Sequence, residues 1–283
     1  MFDSARDFDH PHPVDGDGAC FEGWTILALL AHHVPGRQIG HLVPANPYRH
    51  PCLLARMATV MDHATNGRFV LGLGAGWHEA EMNAYGMPFD PVPVRLRELE
   101  AGLRVIRALL GREAGAWPAP GDGSSGGVGG VGGVGGVGVD APAYRLLHAR
   151  NHPLPLTPGG LSIWPGTQGE RVGMRLVATC AEGWNSRAAA WRSSPARSAR
   201  STARARRPGA IGSTIEISVQ RREAAREERQ AALEHGRYGR YGREVARAGC
   251  DHRVFYVDPR GGPQGLRLLA DEVAIPLHDE FGA

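Results

Sequence analysis

The chain contains no lysine: all 32 of its basic residues are arginine. That excludes a lysine Schiff base or a lysine general base. It leaves the permanently charged guanidinium, suited to phosphate and carboxylate groups, as the cationic side chain. Cysteine is scarce. Cys20, Cys52, Cys180 and Cys250 are far apart and form no CxxC pair, which argues against a disulfide framework or a zinc site. Long apolar runs are missing too. The longest covers residues 26–31, far short of a membrane span. The opening MFDSARDFDH lacks the basic and apolar pattern of a secretion signal, so a cytoplasmic protein with no membrane partner is expected. A formal net charge of +3 over 283 residues gives no general affinity for nucleic acid. What is present is a 42% apolar composition, enough for the core of one large α/β domain spanning 1–283.

Hydrophobic patterning alternates between strand and helix. Residues 21–33 read as a short helix, and 37–46 as a buried strand running into a loop. Pro51 opens a helix, where its missing N–H is not needed. Leu53, Met57, Val60, Met61 and Ala64 share one face of that helix, and Asn66-Gly67 closes it. Residues 68–74 are almost unbroken apolar and glycine, as in a strand covered on both faces. Helices are expected over 78–85 and 94–110, the second with Leu96, Leu99, Leu103, Ile106 and Leu110 on one stripe. This order indicates a parallel α/β architecture.

Regularity breaks at GGVGGVGGVGGVGV, residues 126–139. So much glycine is entropically expensive to order, and 115–141 is expected to be a disordered surface loop. Residues 161–185 then read as strand, glycine turn, helix and a second strand at 183–185. The span 186–212 is anomalous, rich in Arg, Ala and Ser with seven arginines and no acid. Strands follow at 215–220 and 251–257, with helices at 221–234 and 266–277.

Four segments carry chemical possibilities. Gly72, Gly74 and Gly76 precede Trp77-His78-Glu79. Glycines after a strand let backbone N–H groups approach an anion at a helix N-terminus, or simply allow tight strand–helix packing. A GxGxxG fingerprint fails because Trp77 stands at the last glycine. Gly166, Thr167, Gln168 and Gly169 repeat the pattern with the same two readings. Asp9, His10 and His12 are too crowded for a metal, and His78-Glu79-Ala80-Glu81 is not HExxH, so no metal is expected. Asn46-Pro47-Tyr48-Arg49-His50 follows a strand, where barrel active sites are built; a solvated loop and helix cap is the alternative.

In order and spacing, FDS…FDH, FEGWTILALLA, IGHLVPANPYRHPCLLARMATVMDH, NGRFVLGLGAGWHEAEMNAYG and GERVGMRLVATCAEGWN resemble the luciferase-like monooxygenase superfamily. The resemblance is closest to its branch dependent on the deazaflavin coenzyme F420. It covers 1–110 and 161–185 and, more weakly, 213–277. It implies a (β/α)8 TIM-type barrel that holds F420, or alternatively FMN, at the C-terminal ends of its strands. Asp9 and His10 would face the cofactor ring. Leu42 and Val43 would mark a non-proline cis peptide beneath it, and Asn46 would lie beside ring or substrate. Gly74, Ala75, Gly76, Trp77 and Glu79 would line the ribityl–phosphate end, and Gly166, Thr167, Gln168 and Gly169 would hold the phosphate. The implied activity is F420-dependent hydride transfer to or from a small organic substrate, with an FMN-dependent monooxygenase as the alternative. His10 is then the implied proton donor or substrate-steering group.

The chain departs from that pattern in places. It starts at what resembles the second strand, so the expected barrel lacks its first strand and helix. Arg6 and Asp7 occupy positions where apolar residues are expected. Pro44 offers a second place for a cis bond, at lower cost. The span 186–212 reads as a local reading-frame slip. Two other functions stay open: a truncated, non-catalytic barrel, and phosphate contacts to nucleic acid through the arginines of 187–207. The second is disfavoured because Trp191 is the one aromatic there. A homodimer is also left open.

Overall fold

The computed structural model describes residues 2–14, 18–34, 36–111, 128–129, 137–141, 143–168, 172–187, 216–221, 237–247, 252–255, 267 and 269–281. The first half holds β1 (Ser4–Asp7), α1 (Gly23–Leu30), β2 (Gln38–His41), α2 (Pro51–Ala64), β3 (Phe69–Gly74), α3 (Glu79–Ala84) and α4 (Val92–Leu109). Then come β4 (Val128–Gly129), β5 (Val137–Ala141), β6 (Tyr144–Ala149), β7 (Ser162–Gly166), α5 (Val172–Cys180) and β8 (Gly183–Arg187). The chain closes with β9 (Glu216–Arg221), α6 (Arg237–Arg247), β10 (His252–Phe255), a π turn at Ala270–Ala274 and α7 (Ile275–Phe281).

Seven strands form one parallel sheet in the order β1-β2-β3-β7-β8-β9-β10. Parallel neighbours need crossover connections, and among the described residues α1, α2, α4, α5 and α6 lie in them. The result is an α/β half-barrel. Side chains alternate between its faces. Ile39, Phe69, Leu71, Leu73 and Ile163 meet a helical layer that includes Trp24, Leu27, Leu54, Leu99, Leu103 and Ile106. The opposite face carries Leu42, Val70 and Trp164, with Val43 and Val254 against them. All six residues of β3 are buried, which accounts for its unbroken apolar run. Among the described residues, no helix is long and apolar enough to cross a membrane.

Arg6, at an expected apolar position, lies on this second face. Its guanidinium stacks over Trp164, 5.5 Å from the ring centroid, and donates to Gln38 Oε1 at 2.8 Å. Burial lowers its pKa to about 10, with Glu216 opposing the shift.

Several expectations need correction. On α2 the buried residues are Pro51, Leu54, Ala55, Ala58, Thr59, Met61 and Asp62. Leu53 and Val60, expected on the apolar face, are 55% and 66% exposed. The helix carries two stripes of similar spacing. Small alanines let the other one approach its neighbours closely, and buried Asp62 is satisfied by the Thr157 hydroxyl at 2.7 Å and backbone N–H at 3.0 Å.

Part of the span 115–141 is strand rather than disordered loop. β4, β5 and β6 form an antiparallel ribbon that pairs Val139 with Leu146 and Ala141 with Tyr144. At 137–139 valine alternates with glycine at the strand period, and β6 offers a partner edge. The rest of 115–141 lies outside the described residues. So do residues 222–234 of the expected helix at 221–234, whose first residue, Arg221, instead ends β9, and the anomalous span from 188 onward; Ser186 and Arg187 belong to β8. Helix α6 was not expected, because its sequence RYGRYGREVAR is polar and holds two glycines. One of them is needed: a Cβ at Gly242 would stand 2.3 Å from Leu277 Cδ1.

Candidate active site

The C-terminal ends of β1, β2, β3 and β7 lie side by side, and the segments that follow them build the site. The bond between Leu42 and Val43 is cis, and the bond to Pro44 is not. Val43 then lies across the neighbouring strands. A Cβ at Gly72 would stand 2.6 Å from Val43 Cγ1; one at Gly74 or Gly166 would stand 2.9 or 2.5 Å from Val43 Cγ2. These contacts are too close for any side chain. Gly74 and Gly166, which are register partners, are therefore glycine because Val43 occupies the space. The Gly74 N–H donates to Pro44 O at 2.8 Å, fixing the same crossing.

The loop after β1 carries Asp9, His10 and His12, and each goes to a different partner. Asp9 is 2% exposed and paired by both carboxylate oxygens with Arg49, the second contact being 2.9 Å. Burial pushes its carboxyl pKa up, and Arg49 opposes that shift. Arg49 also holds Glu22, which caps α1 by accepting from the N–H groups of Trp24 and Thr25 at 3.0 and 2.7 Å. Those bonds, with Arg49, pull the Glu22 carboxyl below its ordinary range against the effect of burial. His12 Nδ1 lies 2.8 Å from Pro13 O. His10 Nδ1 lies 2.7 Å from Glu81 Oε2, and its ring meets the edges of Trp77 and His78 at centroid separations of 5.5 and 5.9 Å.

The remaining expected residues are more scattered. Leu42 is buried against Val70 and Trp164. Asn46 is 3% exposed, but its side chain turns toward α4. Its Nδ2 donates to Tyr144 OH at 3.1 Å, and a Cβ at Gly102 would stand 2.2 Å from its Oδ1. Ala75 packs on the helical core. Gly76 has φ of 79°, where glycine is at no disadvantage, and its carbonyl accepts from Arg95. Trp77 is 56% exposed. Glu79 is exposed, while Glu81, two residues on, is the buried carboxylate. Thr167 is buried with its hydroxyl over Gly173 of α5, Gln168 is exposed, and Gly169 lies outside the described residues.

Sequence reasoning missed Glu81 as a member of this cluster, and it gave Tyr48 and Arg49 only as part of the segment after β2, with no role. Tyr48 donates its hydroxyl to Glu81, and Tyr85 donates to Pro11 O at 3.1 Å. The one available signal was their place after strands β2 and β3, the same signal that pointed to Asn46 and Glu79.

A parallel α/β half-barrel with polar side chains gathered at the strand C-termini defines a class of enzyme scaffold. Within it, the profile of the luciferase-like monooxygenase family matches residues 3–258: the chain belongs to that family. A 4-hydroxyprotoasukamycin monooxygenase of Streptomyces nodosus subsp. asukaensis is 36% identical over 99 residues, covering 35% of this chain and 26% of that protein. A phthiodiolone/phenolphthiodiolone dimycocerosates ketoreductase of Mycobacterium tuberculosis is 31% identical over 105 residues, covering 35% and 27%. The matched stretch thus spans about a quarter of these curated relatives. Among solved structures, an F420-dependent secondary alcohol dehydrogenase in complex with an F420-acetone adduct aligns over 96% of this chain and 90% of its own. The TM-score is 0.68 at 14% identity. An EDTA monooxygenase from Chelativorans sp. BNC1 aligns over 88% and 56%, with a TM-score of 0.58 at 22% identity. These likenesses show a shared fold.

Proposed function

We propose that this chain is an F420-dependent oxidoreductase exchanging hydride with a small organic substrate, its half-barrel being part of a (β/α)8-type barrel. One observation carries the reading. His10 and Trp77 meet from the ends of β1 and β3, His10 is held by a buried carboxylate, and after the intervening β2 Val43 is borne on the bare backbone of Gly72, Gly74 and Gly166.

These residues fit a flat heterocycle. Val43 gives an aliphatic shelf, and the strand ends on either side of it carry a histidine and an indole. Gly76 and Trp77 after β3, with Gly166, Thr167, Gln168 and Gly169 after β7, would hold the ribityl–phosphate end. The cofactor supplies hydride exchange, and the protein supplies binding and electrostatics. Val43 supports one ring face. His10 exchanges a proton with the substrate through its free ring nitrogen. The Asp9–Arg49–Glu22 chain holds the end of β1 against α1. Asn46 acts from behind, bracing the loop after β2 on α4.

FMN is the second reading, favoured by the monooxygenase among the relatives. Titrating the purified protein with F420 and, separately, with FMN while following cofactor fluorescence tests both. Saturable binding that is tighter for F420 is expected. Tighter FMN binding would transfer the assignment to the alternative, and no saturable binding of either would overturn both.

A further inference from the structure

Glu81 is 1% exposed, and three donors converge on it. His10 Nδ1 and the Tyr48 hydroxyl share Oε2, and the His12 backbone N–H reaches Oε1 at 3.1 Å. The donors come from the segments after β1 and β2, and Glu81 itself sits on α3 after β3. One carboxylate therefore joins three consecutive strand ends. A buried carboxylate is costly unless its oxygens are hydrogen-bonded, and here both are. Burial, with the adjacent carboxylate, drives the Tyr48 phenol pKa upward, so Tyr48 remains an O–H donor.

The chemistry of the pair follows from its donor count. An ionised carboxylate only accepts, so the hydrogen between Glu81 and His10 resides on Nδ1. In the neutral imidazole Nε2 is then the bare nitrogen, and protons arrive and leave through it. Among the ring neighbours Phe8, Trp77 and His78, none competes as an acceptor: Phe8 has no polar side-chain atom, the indole is a donor, and His78 Nδ1 is engaged by the Glu81 N–H at 3.1 Å.

We propose that Glu81 is the positioning residue for His10, locking its Nδ1–H tautomer and ring orientation so that Nε2 faces its task. This deepens the functional reading above and rests on it for the role of His10. The lock itself is a property of the protein without cofactor.

The test is long-range 15N–1H NMR of protein labelled at histidine, without cofactor, at a pH where the His10 ring is neutral, with His10 assigned by comparison with His10→Asn. The expected spectrum has a protonated Nδ1 and an unprotonated Nε2. Glu81→Leu should exchange those two resonances by releasing the ring to its intrinsic Nε2–H preference, and Glu81→Gln, which keeps an acceptor oxygen, should restore the Nδ1–H form. Tyr48→Phe should leave the tautomer unchanged, so it also serves as a folded control. An Nε2–H tautomer in the wild-type protein would overturn the proposal even if Glu81→Leu fails to fold, and so would an unchanged tautomer in folded Glu81→Leu. Cofactor titration of the same samples separates the two claims. A locked tautomer without F420 or FMN binding supports the Glu81–His10 pair and overturns the cofactor reading. Cofactor binding with the opposite tautomer overturns the pair alone.

Discussion

His41 gives the structure a dependence on acid that can be measured. It ends β2 on the helical side of the sheet, 0% exposed, with its ring centroid 5.1 Å from that of Trp24. Burial drives its pKa from 6.5 down to about 3, helped by the charge of Arg49 and opposed by Glu22 and the Asp7 backbone. The folded protein therefore keeps this histidine neutral while the unfolded chain takes up a proton below 6.5. The stability it contributes is whole at neutral pH and is lost as the pH falls from 6.5 toward 3. Linkage puts the loss from this one group at about 2 kcal/mol between pH 7 and pH 5, and at about 3 kcal/mol by pH 4. Other groups titrate in the same window, so the useful quantity is a difference. Urea unfolding followed by far-UV circular dichroism at pH 7 and pH 5, on wild type and His41→Leu, isolates it. The variant should lose about 2 kcal/mol less than wild type over that interval, with similar m-values. Equal losses in both proteins would refute a neutral, buried His41.

Two further substitutions probe the strand ends. Gly166→Ala places a Cβ 2.5 Å from Val43 Cγ2 and should cost about 1–3 kcal/mol by overpacking; adding Val43→Ala should recover most of it in urea melts. Arg49→Leu leaves Asp9 buried without its partner and should cost about 3–5 kcal/mol, while Asp9→Asn in the same chain should return part of that stability, read by the same denaturation.

The sequence was most legible where the chemistry is local. β3 is continuous in apolar residues because both its faces are covered, and the strand–helix order from α1 to α4 is visible in the hydrophobic pattern and turn signals, whereas β1 was named only through the family resemblance. Asp9, His10 and Val43 were named through the family resemblance, and in the structure each lies just past a strand end. Glu81 was not. On a helix residues two apart point in different directions, so choosing between Glu79 and Glu81 requires knowing that His10, 71 positions earlier, lies above one of them. The direction of the Asn46 side chain was not legible for a related reason: its glycine partner, Gly102, is on a distant helix. The two stripes of α2 have equal periodicity, and the face rich in alanine and satisfied polar groups is the one that packs.

The glycines at 74 and 166 reach beyond this fold. Each is the mould of one side chain, and their shared occupant is Val43. Substitution at either is therefore conditional on residue 43, whereas Gly72 is also fixed by the His41 carbonyl, 2.3 Å from where its Cβ would stand. In an evolving lineage a change at 43 to something smaller would have to come first, and only then could a methyl group be gained at the other two. Positions 43, 74 and 166 act as a single steric unit, and variation among relatives at residue 43 should predict variation at those two glycines.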